Sequence, residues 1–344
     1  MNKRAPTNSD IAELLAVEAE TAKHHVQRAF RKASRAAFLW PEEAADIHAR
    51  GDALTALSAI GPFLEKQIRG WLEDAPRIPE RPPLRKQFFS YTETQKILSS
   101  RPDWKENVRG DLQMHTEWSD GSGTVREMAK AAMARGYQYI AITDHAKKLK
   151  IAGGITEEQL AEQAAEIASI NQTATNFKIL RSIELNLDVQ GAGDMDPASL
   201  EKLDIVIAAF HSSLRKTDDQ TERYLAALKN PFVHILGHPR GRIYNYRLGL
   251  SADWPRVFSL AAKLGKAVEI DAYPDRQDLN VDLVAMAAEA GAYLSIGTDA
   301  HHPWQLQFID FGLASALAAK FPQERILNFM QADQLKKWVA SVKH

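Results

Sequence analysis

Gly110-Asp-Leu-Gln-Met-His-Thr-Glu-Trp-Ser-Asp-Gly121 begins as a strand and ends as a polar loop. Apolar Leu112 and Met114 alternate with Asp111 and Gln113, which favours an extended segment over residues 108–114. Gln113, His115 and Asp120 crowd its C-terminal end. The arrangement recurs down the chain. Residues 139–143 run into Asp144-His145, residues 179–187 carry Glu184, and residues 205–210 run into His211. Residues 232–236 are followed by Gly237-His238-Pro239, residues 267–270 carry Glu269 and lead into Asp271, and residues 293–296 precede Thr298-Asp299-Ala300-His301. Amphipathic runs at 125–135, 157–171, 220–229, 255–264 and 281–290 separate most of these strands. Seven strands alternating with helices predict an α/β fold with a parallel sheet, open or closed into a barrel.

In a parallel α/β barrel the C-terminal strand ends meet at one mouth. His115, Asp120, His145, Glu184, His211, His238, Asp299 and His301 would then converge. Imidazoles with carboxylates suit zinc, manganese or iron, and with no cysteine in the chain a thiolate site is excluded. Eight ligands are too many for one tetrahedral ion, and a bridging carboxylate such as Glu184 would serve a cluster of two or three. Any one of these residues alone is explained by loop hydrogen bonding. Five histidines after five separate strand ends are not. His234, inside the apolar run 232–236, reads as a core histidine, and His24, His25, His48 and His344 as solvated surface residues.

Working outward, residues 1–75 read as helices. Asn8, Ser9 and Asp10 offer caps before Ile11, Leu14 and Leu15. Pro76, Pro79, Pro82 and Pro83 then mark residues 76–107 as a linker and connector ahead of the α/β region, residues 108–344. The whole chain of 344 residues is close to neutral, with 43 Lys and Arg against 44 Asp and Glu. Its composition is that of a folded globular protein. No apolar run approaches membrane-spanning length, and the opening MNKRAPTNSD has no apolar signal core behind it. The expectation is a cytoplasmic enzyme.

Five motifs, in order, closely resemble those of PHP (polymerase and histidinol phosphatase) domains: the opening stretch, Ile142-Thr-Asp-His145, Phe210-His-Ser212, Leu236-Gly-His-Pro239 and Gly297-Thr-Asp-Ala-His301. The resemblance covers about residues 108–325. It implies a distorted seven-stranded (β/α)7, TIM-like barrel, preceded here by a small all-α domain, with a trinuclear metal site and phosphoester hydrolysis. Carried over, His115, Glu184 and Asp299 would hold a first metal, Glu184, His211 and His238 a second, and Asp120, His145 and His301 a third. The family usually has His-x-His in its first motif, and the first of those positions here is Gln113. An amide oxygen is a weaker ligand than an imidazole, so two ions or three remain open.

Gln at this place also resembles PHP domains attached to bacterial family X DNA polymerases, and residues 8–74 resemble the helical N-terminal domain of those polymerases. Its helix-hairpin-helix turn would offer Ile60 and Gly61 backbone amides to a DNA phosphate, with Lys66 close by. Gln67 stands where lyase-competent relatives carry a lysine, so lyase activity is not expected. The linker is too short to hold a polymerase palm, which excludes nucleotidyl transfer.

The leading expectation is therefore a metal-dependent phosphoesterase acting on DNA ends, as a 3′-5′ exonuclease or 3′-phosphatase, through metal-activated hydroxide attack on phosphorus. Glu184, Asp299 and His301 would be its catalytic residues. Arg242, Arg276 and, as a third candidate, Arg240 would grip phosphate. Trp118, Tyr244, Tyr246 and Trp304 would either stack on a base or sugar or pack in the core or at the rim. The alternatives are a small-molecule phosphatase of the histidinol-phosphatase type and a non-catalytic DNA-binding scaffold. The oligomeric state is not legible.

Overall fold

The computed structural model describes residues 4–342, so His344 lies outside the described residues. The chain forms two compact units. One holds the chain up to Ser100 together with Ile243–Leu248, and the other holds Arg101–Arg242 and the chain from Gly249 onward.

The second unit is built on eight short strands: β1 (Gly110–Asp111), β2 (Tyr139–Ile142), β3 (Lys178–Arg181), β4 (Glu184–Asn186), β5 (Ile207–Ala209), β6 (Ile235–Leu236), β7 (Ala267–Asp271) and β8 (Tyr293–Gly297). They form a three-stranded sheet, β1-β2-β3, and a five-stranded sheet, β4-β5-β6-β7-β8. Every pairing is parallel and joins neighbours in the chain. Parallel bridges Met114–Ala300 and His145–Glu184 link the two sheets at both edges. The expected third strand, residues 179–187, is divided, because the segment changes partners within it. Arg181 is the last residue paired to β2, and Glu184 is the first paired to β5. Hydrogen bonding continues across the break, from Glu184 N–H to the Asp144 carbonyl at 3.1 Å and from Ile207 N–H to the Ile183 carbonyl at 3.2 Å.

Helices between the strands start where capping side chains allow. Val125–Ala134 opens on a Thr124–Glu127 capping box and Glu157–Thr173 on a Thr156–Gln159 box. Most strand residues outside β3 are buried on both faces, as a sheet covered by helices requires. The buried Asn328 side chain accepts the Ile296 N–H at 2.8 Å. It donates to the Gly110 and Ile296 carbonyls at 2.9 and 2.7 Å, so one amide ties β1 to β8. Leu335 and Trp338 of the last helix, Ala332–Ser341, join a core with Tyr139, Ile207 and Ile235.

The first unit contains α1 (Asn8–Thr21), α2 (His24–Ala36), α3 (Ala44–Ala49), α4 (Pro62–Asp74) and α5 (Tyr91–Ser99). Ile11, Leu15, Phe30, Phe38, Trp40, Leu54 and Ile68 make its core. The proline-rich segment read as a linker is laid along this unit. Arg85, buried within it, bonds the Glu13 carboxylate at 2.9 Å through both Nε and Nη2 and reaches Glu20 at 2.9 Å. Tyr244 is part of the same core, with its ring 4.7 Å from Phe38 and 5.3 Å from Phe88 and its hydroxyl 3.1 Å from Ser34 Oγ. Of the readings open for Tyr244, stacking on substrate or packing in the core, the structure has the second. Among the described residues no helix is long and apolar enough to cross a membrane.

Candidate metal centre

Seven of the eight predicted ligands sit in or just after strands of the second unit, where the backbone direction sends each side chain towards one end of the sheet. Glu184 opens β4, is fully buried and is the centre of the cluster. Its Oε1 lies 2.9 Å from His211 Nε2 and 2.7 Å from His238 Nε2, and its Oε2 lies 3.3 Å from both His115 Nε2 and His145 Nδ1. His115 Nε2 is also 2.9 Å from Asp299 Oδ1. Asp120, carried on the loop after β1, has Oδ1 at 3.3 Å from His301 Nε2 and 3.6 Å from His145 Nε2. The eight residues thus overlap in three groups whose ligand atoms lie within 4.8 Å of one another: His115, Asp120, His145 and His301; His145, Glu184 and His211; His115, Glu184 and Asp299. His238 joins through Glu184.

This set fits divalent cations. The Nδ1 atoms of His115, His145 and His211 are buried without hydrogen-bond partners, an arrangement that is costly unless something else fills the space. His301 Nδ1 lies 2.7 Å from the Asp299 carbonyl. That contact places the ring proton there and leaves Nε2 as a lone pair facing Asp120. Two of the candidate residues hold left-handed backbone, His238 at φ 22° and Asp299 at φ 50°, strain of the kind that accompanies functional sites. Gly297 and Gly121 are required by close approach. A Cβ on Gly297 would run into Glu269 and Gln113, and one on Gly121 would lie 2.6 Å from the His115 backbone.

The electrostatics also call for positive charge. Burial opposes ionisation of Glu184, but His145, His211 and His238 hold its carboxylate well below the usual range. Burial likewise opposes the charge on Asp299, and Arg276, His115 and His301 outweigh it. His115 is driven the other way. Burial disfavours its imidazolium, yet Asp299 and Glu184 raise it well above the ordinary value. Burial takes His145 down to about 3, which leaves it a neutral donor.

Gln113 is fully buried, but its amide faces Glu269 rather than the three ligand groups. Oriented by its hydrogen bonding, the amide nitrogen donates to both Glu269 oxygens, at 2.9 Å to Oε2. Of the three arginines, Arg276 reaches the cluster, with Nη1 2.9 Å from Asp299 Oδ2 and 3.6 Å from Asp271 Oδ2. Arg242 is buried behind it and donates from Nε to the Arg276 carbonyl at 2.9 Å. Arg240 Nε lies 3.3 Å from the Leu250 carbonyl. Trp118 donates to Glu166 at 2.9 Å, and Trp304 and Tyr246 are half exposed. His234 Nδ1 accepts the Val206 N–H at 3.2 Å, as a core residue would. In the first unit, the Ile60 amide is taken up by the Leu57 carbonyl at 3.2 Å, and Lys66 is exposed.

Two carboxylates noted at strand ends in the sequence but left out of the predicted ligand set support the cluster. Asp144 accepts Thr116 N–H at 2.8 Å, Thr116 Oγ1 at 2.7 Å, Ser119 Oγ at 2.5 Å and Gln163 Nε2 at 2.6 Å, which fixes the loop that bears His115 and Asp120. Glu269 takes the His238 N–H at 2.7 Å as well as Gln113. Burial, with Asp299 and Glu184 adding to it, raises Glu269 well above the usual carboxylate range. Their position beside ligands at strand ends was the available signal.

Comparison with known proteins agrees with this arrangement. The PHP domain family matches residues 111–296. The DNA polymerase/3′-5′ exonuclease PolX of Bacillus subtilis (strain 168) is 40% identical over 222 residues, which make up 64% of this chain and 39% of PolX. A probable phosphatase of Caldanaerobacter subterraneus subsp. tengcongensis is 29% identical over 241 residues, 67% of this chain and 90% of its own length. The crystal structure of histidinol phosphate phosphatase from Lactococcus lactis, complexed with zinc, L-histidinol and phosphate, covers 62% of this chain and 95% of its own at a TM-score of 0.44 and 16% identity. The chain thus spans well under half the length of PolX. With its matched region running through more than half of the sequence, the chain belongs to the PHP domain family.

Proposed function

We propose that this chain is a metal-dependent phosphoric ester hydrolase acting on DNA ends, of the 3′-5′ exonuclease or 3′-phosphatase type. The observation that carries the hydrolase reading is the buried Glu184, with four imidazoles within 3.3 Å of its two oxygens. The 40% identity to PolX across the matched region favours DNA as substrate. In this reading β3 and β4 are the halves of one broken strand of a seven-stranded barrel, and the first unit is an all-α domain that contributes Gly61 and Lys66 to DNA. Ile60 is set aside because its amide is already bonded.

His115, Glu184 and Asp299 would hold one zinc, manganese or iron ion, Glu184, His211 and His238 a second, and Asp120, His145 and His301 a third. Such ions polarise phosphoryl oxygens and supply a deprotonated water at neutral pH. The protein's own groups do the rest. Glu184 keeps four imidazoles oriented. The Asp299 carbonyl fixes the His301 tautomer, so Nε2 is available at the cluster. Arg276 spends one Nη donor on Asp299 and turns its remaining donors to nonbridging phosphate oxygens, where they offset charge developing in the transition state. Arg242 holds the Arg276 backbone in place and acts through it.

A second reading, a small-molecule phosphatase, is favoured by one observation: the 29% match to the probable phosphatase runs through 90% of that protein. The deciding experiment is Mn²⁺-dependent hydrolysis of end-labelled single-stranded DNA beside a generic phosphomonoester, with wild type and His211→Ala. Shortening of DNA that is lost in His211→Ala is the expected result. Release of phosphate from the monoester alone would transfer the assignment to the second reading. Silence on both substrates would sink the hydrolase reading.

A further inference from the structure

Two consecutive residues of one helix reach the backbone beside both histidines that share Glu184 Oε1. His211 Nε2 and His238 Nε2 lie 2.9 and 2.7 Å from that oxygen, and the two ring centroids are 5.4 Å apart. The helix Thr221–Lys229 stands between β5 and β6 in the chain. Adjacent side chains on a helix diverge by about 100°, so Arg223 and Tyr224 meet different segments. The Tyr224 hydroxyl donates to the Pro239 carbonyl at 2.5 Å, one residue past His238. Arg223 Nη2 donates to the Ser212 carbonyl at 2.8 Å, one residue past His211. The Arg223 guanidinium also lies 3.9 Å from the ring centroid of Phe210, the residue before His211. Phe210 in turn meets the Tyr224 ring edge-on, with centroids 5.6 Å apart.

Stability alone does not account for Arg223. It is 4% exposed, and its Nε and Nη1 have no hydrogen-bond partner among the described residues. No carboxylate there forms an ion pair with it, and burial lowers its pKa against the opposing effect of Tyr224. A buried guanidinium without an acid is destabilising, and an apolar side chain of similar length would fill the space at lower cost. What a hydrocarbon cannot do is hold the Ser212 carbonyl. Past Ala209 the chain leaves the sheet, and Phe210, His211 and Ser212 donate no backbone hydrogen bond among the described residues. Ser213 then turns through left-handed backbone at φ 56°. The His211 ring has no tie on its other side, because Nδ1 is buried without a partner. His301 differs, with its Nδ1 at the Asp299 carbonyl. Metal-binding histidines are ordinarily oriented through that second nitrogen, so the orientation of His211 has to come from the backbone that bears it.

Resting on the metal-centre reading above, we propose that Arg223 is a positioning residue for His211. It clamps Phe210 and Ser212 so that the imidazole stays at Glu184 Oε1, and Tyr224 does the same for His238 through Pro239. The ion assigned to Glu184, His211 and His238 is then the one whose affinity depends on this helix. Arg223 and Tyr224 act through the two histidines and take no part in the chemistry.

The test is titration calorimetry of the whole chain with Mn²⁺ alone. Arg223→Met should weaken one ion by about 10–100-fold, the usual effect of removing a residue that orients a ligand, and leave the remaining ions at wild-type affinity. Arg223→Lys should recover part of the loss, because an ammonium still offers a donor and a charge over the ring. In a His211→Ala background, Arg223→Met should cause no further loss, since the residue it acts through is gone. Tyr224→Phe, which keeps the ring, should weaken the same ion and lose its effect in a His238→Ala background. Urea unfolding in EDTA should place Arg223→Met at or above the wild-type midpoint. A lower midpoint, or an equal loss of affinity in the His211→Ala background, would make Arg223 a support of the fold at large and overturn the inference. If Arg223→Met fails to fold, Arg223→Lys in the same double-mutant cycle carries the test. Wild type that binds no Mn²⁺ would defeat the metal-centre reading itself, whereas wild type and Arg223→Met that bind alike would leave that reading standing and refute the positioning role.

Discussion

Asp144 accepts its hydrogen bonds from Thr116, Ser119 and Gln163, outside the candidate cluster, yet it should govern whether the cluster can form. Its carboxylate is fully buried and accepts four hydrogen bonds, two from Thr116, one from Ser119 and one from Gln163. In Asp144→Ala the two hydroxyls can rotate to other acceptors, but the Thr116 N–H and the Gln163 amide cannot. Each hydrogen bond to a charged group is worth roughly 1.5–3 kcal/mol, so two fixed donors stranded in the core put the loss at about 3–6 kcal/mol. That is a large part of a domain's usual stability, about 5–15 kcal/mol. In Asp144→Asn one oxygen remains for the Thr116 N–H and the hydroxyls can turn to the new amide, which strands only the Gln163 donor, so about 1.5–3 kcal/mol is expected. The measurement is urea unfolding followed by circular dichroism in EDTA, which keeps metal binding out of the balance. Mn²⁺ content after equilibrium dialysis of folded protein should fall in the same order, wild type, Asn, Ala, because the loop bearing His115 and Asp120 loosens. If Asp144→Ala unfolds within 1 kcal/mol of wild type, or retains full metal, the loop is held by something other than these bonds.

Arg276→Ala should lower kcat by about 10²–10³-fold, the cost of losing one preorganised charge-stabilising donor, while Arg276→Lys should recover part of it because a point charge replaces a fork; steady-state kinetics on the same DNA substrate reads both. Lys266, almost wholly buried with its ammonium on the Asn230 carbonyl at 2.7 Å, is brought down to about 8 from 10.5 by burial. The folded state therefore holds fewer protons than the unfolded state between these values, so stability should rise with pH through that window by up to about 3 kcal/mol. Lys266→Met should abolish the rise in denaturation curves taken at pH 7.5 and 9.5.

That these eight side chains gather was legible because metal-capable groups recur at strand ends, and a parallel topology brings strand ends to one place whatever lies between them. The division of residues 179–187 was not legible. Hydrophobic periodicity marks an extended segment but not the point at which it changes partners, and here that point is set by which neighbour reaches Arg181 and which reaches Glu184. The orientation of Gln113 was hidden for a related reason. Its partner, Glu269, is far away in sequence and was read as one more carboxylate on a strand. Tyr244 shows the limit of reasoning by proximity in the chain. It follows the His238 turn by six residues, yet it packs with Phe38 and Phe88, whose positions no local pattern connects to it.

That placement of residues 243–248 bears on modularity. The chain passes from one unit to the other three times rather than once, so the first unit is discontinuous in sequence, and a cut at Ser100 does not separate two intact pieces. The second unit expressed alone from Arg101 would carry an orphaned six-residue insertion, with Tyr244 deprived of the rings and the serine that bury it. The helical unit expressed alone would lack an aromatic side chain from the centre of its core. Exchange of either part between relatives would have to move residues 243–248 along with the helices, so inheritance of this loop and of residues 4–100 should be linked.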